Sequence, residues 1–415
     1  MKYLLLFSLL FSTSTIFALP DKGLYLNKLL ELCPNADIIS FEPKDGFVEI
    51  DYQCEGKFFT VGINTKLELV FTESEAKIDT KTLAKLDNKL NKKYSEWIFK
   101  GYTLVEMADT SFYKAELWKD GVEENIYFAL DGKYFRLKSF LVNEPWTLAD
   151  LTASTYYQQA PYRFLEPDHT YEMPEILKEI SGMTLTDDHT MYAVQDENGI
   201  VFKYNLAKEE ITGMFRFTDV GDFEDVATVG DMVYALRSDG TVFYFNGKNY
   251  NGKFDQKVVQ ANSMNMEGLF YNPTDKYLYM ACKDQPLNLA GTKRLIYKFT
   301  PQNMEKPHLT YTIELTDLQN KLKEHYPQLN TENVQFNPSA IAIHPLTGEI
   351  FVLSAANKLL ITLNEQGING VYPLPSELYF KPEGLAFSPE GDLYLSSEGF
   401  KNGFLNGSIY LFKKQ

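Results

Sequence analysis

The chain is short of the residues from which most enzyme sites are made. Among 415 residues there are three cysteines, five histidines and three tryptophans. Three cysteines cannot complete a four-cysteine zinc site. The histidines (His169, His189, His308, His325 and His344) are scattered, and only His344 stands in a recurring motif, the turn IHPLTGE. No GxSxG elbow, HExxH helix, P-loop or dinucleotide-binding glycine pattern occurs. Positive charge is scarce as well: 40 Lys and Arg against 56 Asp and Glu leave a net charge of −16. Such a balance argues against nucleic acid, whose phosphates are met by Lys and Arg, and against docking on anionic lipid. One apolar run stands out, at the start: MKYLLLFSLLFSTSTIFA, residues 1–18. One Lys, an apolar core and Ala18 read as a secretory signal peptide, too short for a comfortable membrane span. No cysteine lies near the cut, so no lipoprotein anchor is expected. The mature chain is expected in the periplasm or cell exterior, without stable membrane insertion. An uncleaved anchor is the alternative.

Aromatics are plentiful, with 27 Tyr and 30 Phe, as suits a β-rich chain. They fall into a repeat. The segments ISGMT, FEDVA, MEGLF, PSAIA and PEGLA align on Ser181, Glu224, Glu267, Ser339 and Glu383, spaced by 43, 43, 72 and 44 residues. A period of roughly 40–45 residues suits a four-stranded propeller blade. After each anchor come an apolar run, a turn rich in Asp, Pro, Gly, Asn or Thr, and a second short run (MYAV, LYMA, IFVL or LYLS in four copies). A third run follows in most copies, such as IVFKYNL or SIYLF. The 72-residue interval contains a helical pattern over Asp317–His325. It reads as one blade with about 29 additional residues, giving five blades; it is also nearly long enough for a degenerate sixth.

A second repeat occupies residues 21–145. Phe47–Val70 and Phe112–Arg136 match at an offset of 65, pairing Phe47 with Phe112 and Gly56 with Gly121. Each half reads as strand, glycine turn, strand, turn, strand. A helix precedes each: Tyr25–Leu32, and Thr80–Lys93 with Leu83, Leu86 and Leu90 on one face. This predicts an α+β domain, helix plus antiparallel meander, duplicated. Export permits disulfides; Cys33 ends the first helix and Cys54 sits at a hairpin tip in the same small domain, so a bridge between them and two free thiols both stay open from the sequence. Cys282 reads as a small buried residue. Residues 146–174 carry scattered aromatics (Tyr156, Tyr157, Tyr162 and Phe164 among them) between prolines and read as an ordered linker to a propeller at 175–415.

The doubled helix-plus-meander, with strands such as YFALDGKYFR, resembles the PepSY-like, or β-lactamase-inhibitor-like, family of binding modules. The five copies, above all NPSAIAIHPLTGEIFVLS and PEGLAFSPEGDLYLSSEG, resemble the SdiA-regulated family of exported propellers, distantly similar to NHL repeats. That resemblance implies a five-bladed propeller with a bound calcium ion and no established reaction.

The residues themselves also point to a cation. Inner strands line a propeller's channel, so Glu224, Glu267 and Glu383 are expected to face one volume. Three such carboxylates repel, and a proton, a lysine or a cation must relieve them. Calcium takes six to eight hard oxygens, which the carboxylates, Ser181, Ser339, carbonyls and water could supply. Alternatively the glutamates cap backbone amides or line a wet channel. Asp196, Glu197 and Glu398 read more readily as solvated turns than as added ligands. Asp225 is expected to point away from Glu224. Two functions follow: an exported, calcium-stabilised scaffold for a protein or small-molecule partner, or a calcium-dependent hydrolase of small esters or lactones. No catalytic residue is assigned, because no general base is visible near the anchors.

Overall fold

The structure is a computed structural model and describes residues 22–44, 47–119, 122–135, 146–186, 190–263, 265–287, 292–329, 331, 334–400 and 404–414. The expected signal peptide, 1–18, lies outside these. Contacts divide the chain into two units, 1–136 and 137–415.

In the first unit, helices form at Lys22–Leu32 and Thr80–Lys93. The second starts where the Asp79 side chain accepts bonds from the Lys81 and Thr82 amides, both at 3.0 Å, meeting two of the N–H groups a helix start leaves open. It buries Leu86 and Leu90 against Tyr113, Ala115, Leu117, Ile126 and Phe128. The first helix lays Tyr25 and Leu29 over Val48, Ile50, Tyr52, Val61 and Ile63. These strand residues alternate, as a sheet with one face to bury requires. The strands form a single antiparallel sheet, and Leu69–Glu75 pairs with Ile98–Met107 to join the two halves. Cys33 and Cys54 are disulfide-bonded; Cys282 is free and buried.

The second unit is a five-bladed propeller of four-stranded antiparallel sheets. Its inner strands are Ile180–Leu185, Phe223–Val229, Met266–Asn272, Pro338–Ile343 and Lys381–Phe387. The long interval holds one blade and no sixth. Its helix, Leu315–His325, buries Leu318 and Leu322, and Tyr326 beyond it bonds to the Val371 carbonyl at 3.0 Å. The apolar clusters lie between neighbouring blades: Val194 and Phe217 of the first pack with Phe223 and Phe243 of the second, for example.

The stretch 146–174 is built into the propeller. His169–Glu172 is the outer strand of blade five, paired with Ser408–Phe412, so the ring closes by joining the two ends of the propeller's chain in one sheet. Trp146, Tyr157, Tyr162 and Phe164 are buried in the core of the later blades. Tyr157 and Tyr162 donate to the carbonyls of Pro373 and Gly391 at 2.7 and 2.6 Å, which satisfies hydroxyls that would otherwise be buried unpaired.

The inner strands are crowded. A methyl group on Gly384 would lie 2.5 Å from Ser396 Oγ and 2.6 Å from the Ser181 carbonyl oxygen. On Gly213, in an outer strand, it would meet nothing nearer than 3.5 Å. Gly384→Ala should therefore cost about 1–3 kcal/mol, the range for overpacking, and Gly213→Ala about 0.5 or less. Urea unfolding of the propeller, read at constant slope, checks both; equal midpoints would contradict the crowding.

Candidate functional site at one mouth of the channel

All five inner strands share one irregularity. Their register against the second strand shifts between Ile180 and Met183, Phe223 and Asp225, Met266 and Gly268, Pro338 and Ala340, and Pro382 and Gly384. Each shift falls on the anchor. A residue left out of the ladder bends its strand and re-aims its side chain. The residue after the anchor then sits in the crowded layer, as Gly182, Asp225, Gly268, Ala340 or Gly384. Asp225 points away from Glu224's neighbours: its carboxylate accepts from the Val226 and Leu269 amides at 2.8 and 2.7 Å, and also from the Met183 amide, tying three blades together. Burial nevertheless raises its pKa well above the ordinary value, against those bonds.

Three anchors share one electrostatic neighbourhood, since Glu224 is repelled by both Glu267 and Glu383. Two lysines stand among them. Lys283 Nζ is 2.5 Å from Glu267 Oε1. Lys381 Nζ is 3.1 Å from Glu383 Oε1 and 2.9 Å from each oxygen of Glu398. Glu398 is buried, not the solvated turn its sequence context suggested. Glu224 has no hydrogen-bond or ion-pair partner among the described residues. The two serine anchors are not gathered by side-chain contacts: Ser339 Oγ reaches back to the Leu353 carbonyl at 3.4 Å, and Ser181 offers its own carbonyl to Ser396 Oγ at 2.8 Å.

Sequence reasoning missed the lysines. Lys381 lies two residues before Glu383, and this nearness in sequence was an available signal, although the register shift at Glu383 breaks strict alternation. Lys283 follows the second strand of blade three. Its position opposite Glu267 depends on cross-strand register, which a single sequence does not print.

Burial first, then neighbouring carboxylates, sets the titration. Glu224 is raised well above the usual range by burial, with Glu267, Asp222 and Glu383 adding to it. Burial pushes Glu267 up to about 7, held back by Lys283 and promoted by Glu383. Glu398 is pushed up to about 8 by burial, held back by Lys381 and promoted by Glu383 and Asp196. Burial opposes the charge on Lys283 and Lys381, yet their carboxylate partners outweigh it and raise both.

Among the described residues, no three His, Cys, Asp or Glu are gathered to hold a metal ion. The donors still suit a hard cation in kind, being carboxylates, and in charge. Four glutamates face two lysines, an excess of two negative charges: Glu383 and Glu398 share Lys381, and Glu224 has no ion-pair partner among the described residues. Protons or a cation must make up the difference.

The fold and this mouth together define a five-bladed propeller with an acidic, lysine-threaded channel entrance. A family model described as SdiA-regulated matches residues 163–405, and the chain belongs to that family. No curated protein matches it. Among solved structures, a glutaminyl cyclase from Myxococcus xanthus is 13% identical, covering 60% of this chain and 95% of its own, with a TM-score of 0.40. A BLIP-like protein from Bacteroides fragilis is 20% identical over 30% of this chain and 91% of its own, with a TM-score of 0.24. Likenesses at this level bear on neither chemistry nor partner.

Because Glu267 and Glu398 titrate higher in the folded protein than in the unfolded chain, the folded state holds more protons across the interval between. Their stabilising contribution is complete below about pH 4.5 and is lost as pH rises through about 7 and 8. With chelator present, the thermal midpoint of the propeller should fall between pH 5 and 8.5, and Glu267→Gln with Glu398→Gln should flatten that fall. A midpoint that climbs over this interval would contradict the assignment. Lys381→Met should destabilise by about 1–2 kcal/mol at pH 8, less than a fully enclosed pair because solvent reaches the ammonium, and by less at pH 5.

Proposed function

We propose that the chain is an exported binding scaffold of the SdiA-regulated family whose acidic channel mouth takes a calcium ion. The observation that carries this is Glu224, a carboxylate with no hydrogen-bond or ion-pair partner among the described residues, raised by burial and by Glu267, Asp222 and Glu383 against the more distant charge of Lys283. Glu224, Glu267 and Glu383 would hold the ion, with Ser181, Ser339, carbonyls or water completing the oxygen shell that calcium prefers. The ion would supply positive charge where two lysines do not suffice. It would compete with the protons of Glu267 and Glu224, since ligands must be deprotonated.

Export is supported by the apolar start of the sequence and by the Cys33–Cys54 bond, because disulfides persist in oxidising compartments. No described helix is long and apolar enough to cross a membrane. We assign the first unit as a PepSY-like binding module on its architecture alone, two helices each covering half of one antiparallel sheet. Its partner would be a protein or a small molecule.

A second reading has one observation in its favour. Glu267, titrating near 7 at a channel mouth, could act as a general base at neutral pH. A calcium-dependent hydrolase of small esters or lactones would use it so, and turnover of a lactone panel that vanishes in Glu267→Gln would replace the scaffold reading.

Thermal unfolding after chelation, then with graded calcium, tests the main reading. An ion that binds only the folded state stabilises by about 2.7 kcal/mol at a hundredfold excess over Kd. A rise is expected at pH 8, a smaller one at pH 5.5, and none in Glu224→Gln. No rise in a sample shown metal-free by elemental analysis would end the calcium reading.

A further inference from the structure

The other end of the channel has opposite chemistry. A cavity of about 550 Å³ opens there, lined by residues 183–186, 228, 269–274, 343–345 and 385–389, so all five inner strands contribute. Thr184 lies three residues beyond Ser181 and Leu385 two beyond Glu383, so at about 3.3 Å per residue the cavity starts roughly 7–10 Å past the anchors. In a protein with 56 acidic and 40 basic residues, the described lining contains no Asp, Glu, Lys or Arg. Its one titratable ring with a pKa near neutrality, His344, is buried, and burial lowers its pKa, keeping it uncharged at neutral pH. The His344 Nδ1 atom accepts from the Leu346 and Thr347 amides at 3.3 and 3.1 Å, which leaves the ring's proton on Nε2.

The walls are more apolar than polar, with Thr184, Thr228, Asn272 and Ser388 among the polar lining residues, and are partly fixed in place. Leu269 and Leu385 are buried. Phe270 and Phe387 are only half-buried, and Phe387 is held edge-on by Phe351 and His344, each 5.1 Å away between ring centres. Tyr271 and Tyr311 also line the cavity, and their hydroxyls have no hydrogen-bond partner among the described residues. A volume of this size, apolar walls and a few unspent hydroxyls are the attributes of a small-molecule site. A charged ligand would lose its hydration here and find no counter-charge in the described lining.

We propose that this mouth is a second binding site, for an uncharged small molecule with an apolar, ring-sized body and one or two hydrogen-bonding groups. It is separate from the acidic mouth and independent of any ion there.

The test uses the full mature chain and a matched pair of fluorescent probes. N-phenyl-1-naphthylamine is neutral; 1-anilinonaphthalene-8-sulfonate is the same skeleton with an anionic group. Measurements in about 0.5 M salt screen the protein's overall charge. The neutral probe should bind saturably at one site, at least tenfold more tightly than the sulfonate. Phe270→Ala and Thr228→Glu should each weaken it at least tenfold, and Glu224→Gln should leave it unchanged. Circular dichroism identifies which variants are folded, and one folded variant suffices. The proposal is overturned by absence of saturable binding, by sulfonate binding as tightly, by wild-type affinity in a folded cavity variant, or by an equal loss in Glu224→Gln. Failure of the calcium experiment leaves these results unaffected.

Discussion

The close approach of five inner strands around one axis is the constraint from which the rest of the propeller follows. Strands that converge leave no room for side chains between them, so four of the five positions after the anchors are Gly or Ala. The fifth is Asp225, and it uses the crowding: with backbone amides of three blades within reach, its carboxylate replaces bonds that side chains could not supply. The register shift at each anchor belongs to the same geometry. A strand bent at that point can enter the crowded layer while the anchor leaves the ladder, and five repetitions bring five such residues to one end of the channel.

What that end contains is then an electrostatic matter. Glutamates at three anchors and Glu398 at a strand end would repel one another without relief. Lys283 and Lys381 give part of it. The remainder accounts for a partnerless Glu224 and for carboxyls that titrate near neutrality. Perturbed groups of this kind in a channel mouth are more characteristic of a site than of a packing core. The described lining of the opposite mouth carries no Asp, Glu, Lys or Arg, so one channel presents two chemically distinct ends.

Much of the fold was legible in the sequence because inner and second strands are buried on both sides. They read as short apolar runs, and their turns carry Asp, Gly and Pro, so a period near 43 survives. The outer strands were not legible. Asp255–Val258 is largely exposed and carries little apolar pattern, and Glu210–Val220, though Ile211, Phe215 and Phe217 alternate along it, buries only Phe217 fully. The closing strand, His169–Glu172, pairs with residues some 240 positions later, and HTYE holds no apolar run to announce it. The three glutamate anchors were found by alignment alone. Their lysine partners, the buried state of Glu398 and the bond of Ser339 back to the second strand depend on register and bending, which the repeat does not encode. The pairing of Cys33 with Cys54 could be raised from a helix end and a hairpin tip in one small domain but was left undecided, because the approach of the two sulfurs is set by the fold.

The most direct test of the account is calorimetry of calcium binding at pH 7 in two buffers of different ionisation enthalpy. If shared protons and a cation compete for Glu224 and Glu267, the apparent heats will differ between buffers by an amount corresponding to roughly one proton released per ion bound. Binding with equal heats in both buffers would mean that the carboxylates were already ionised, and no binding heat in a metal-free sample would mean that protons and lysines alone settle the charge at the mouth. Either result would contradict the account.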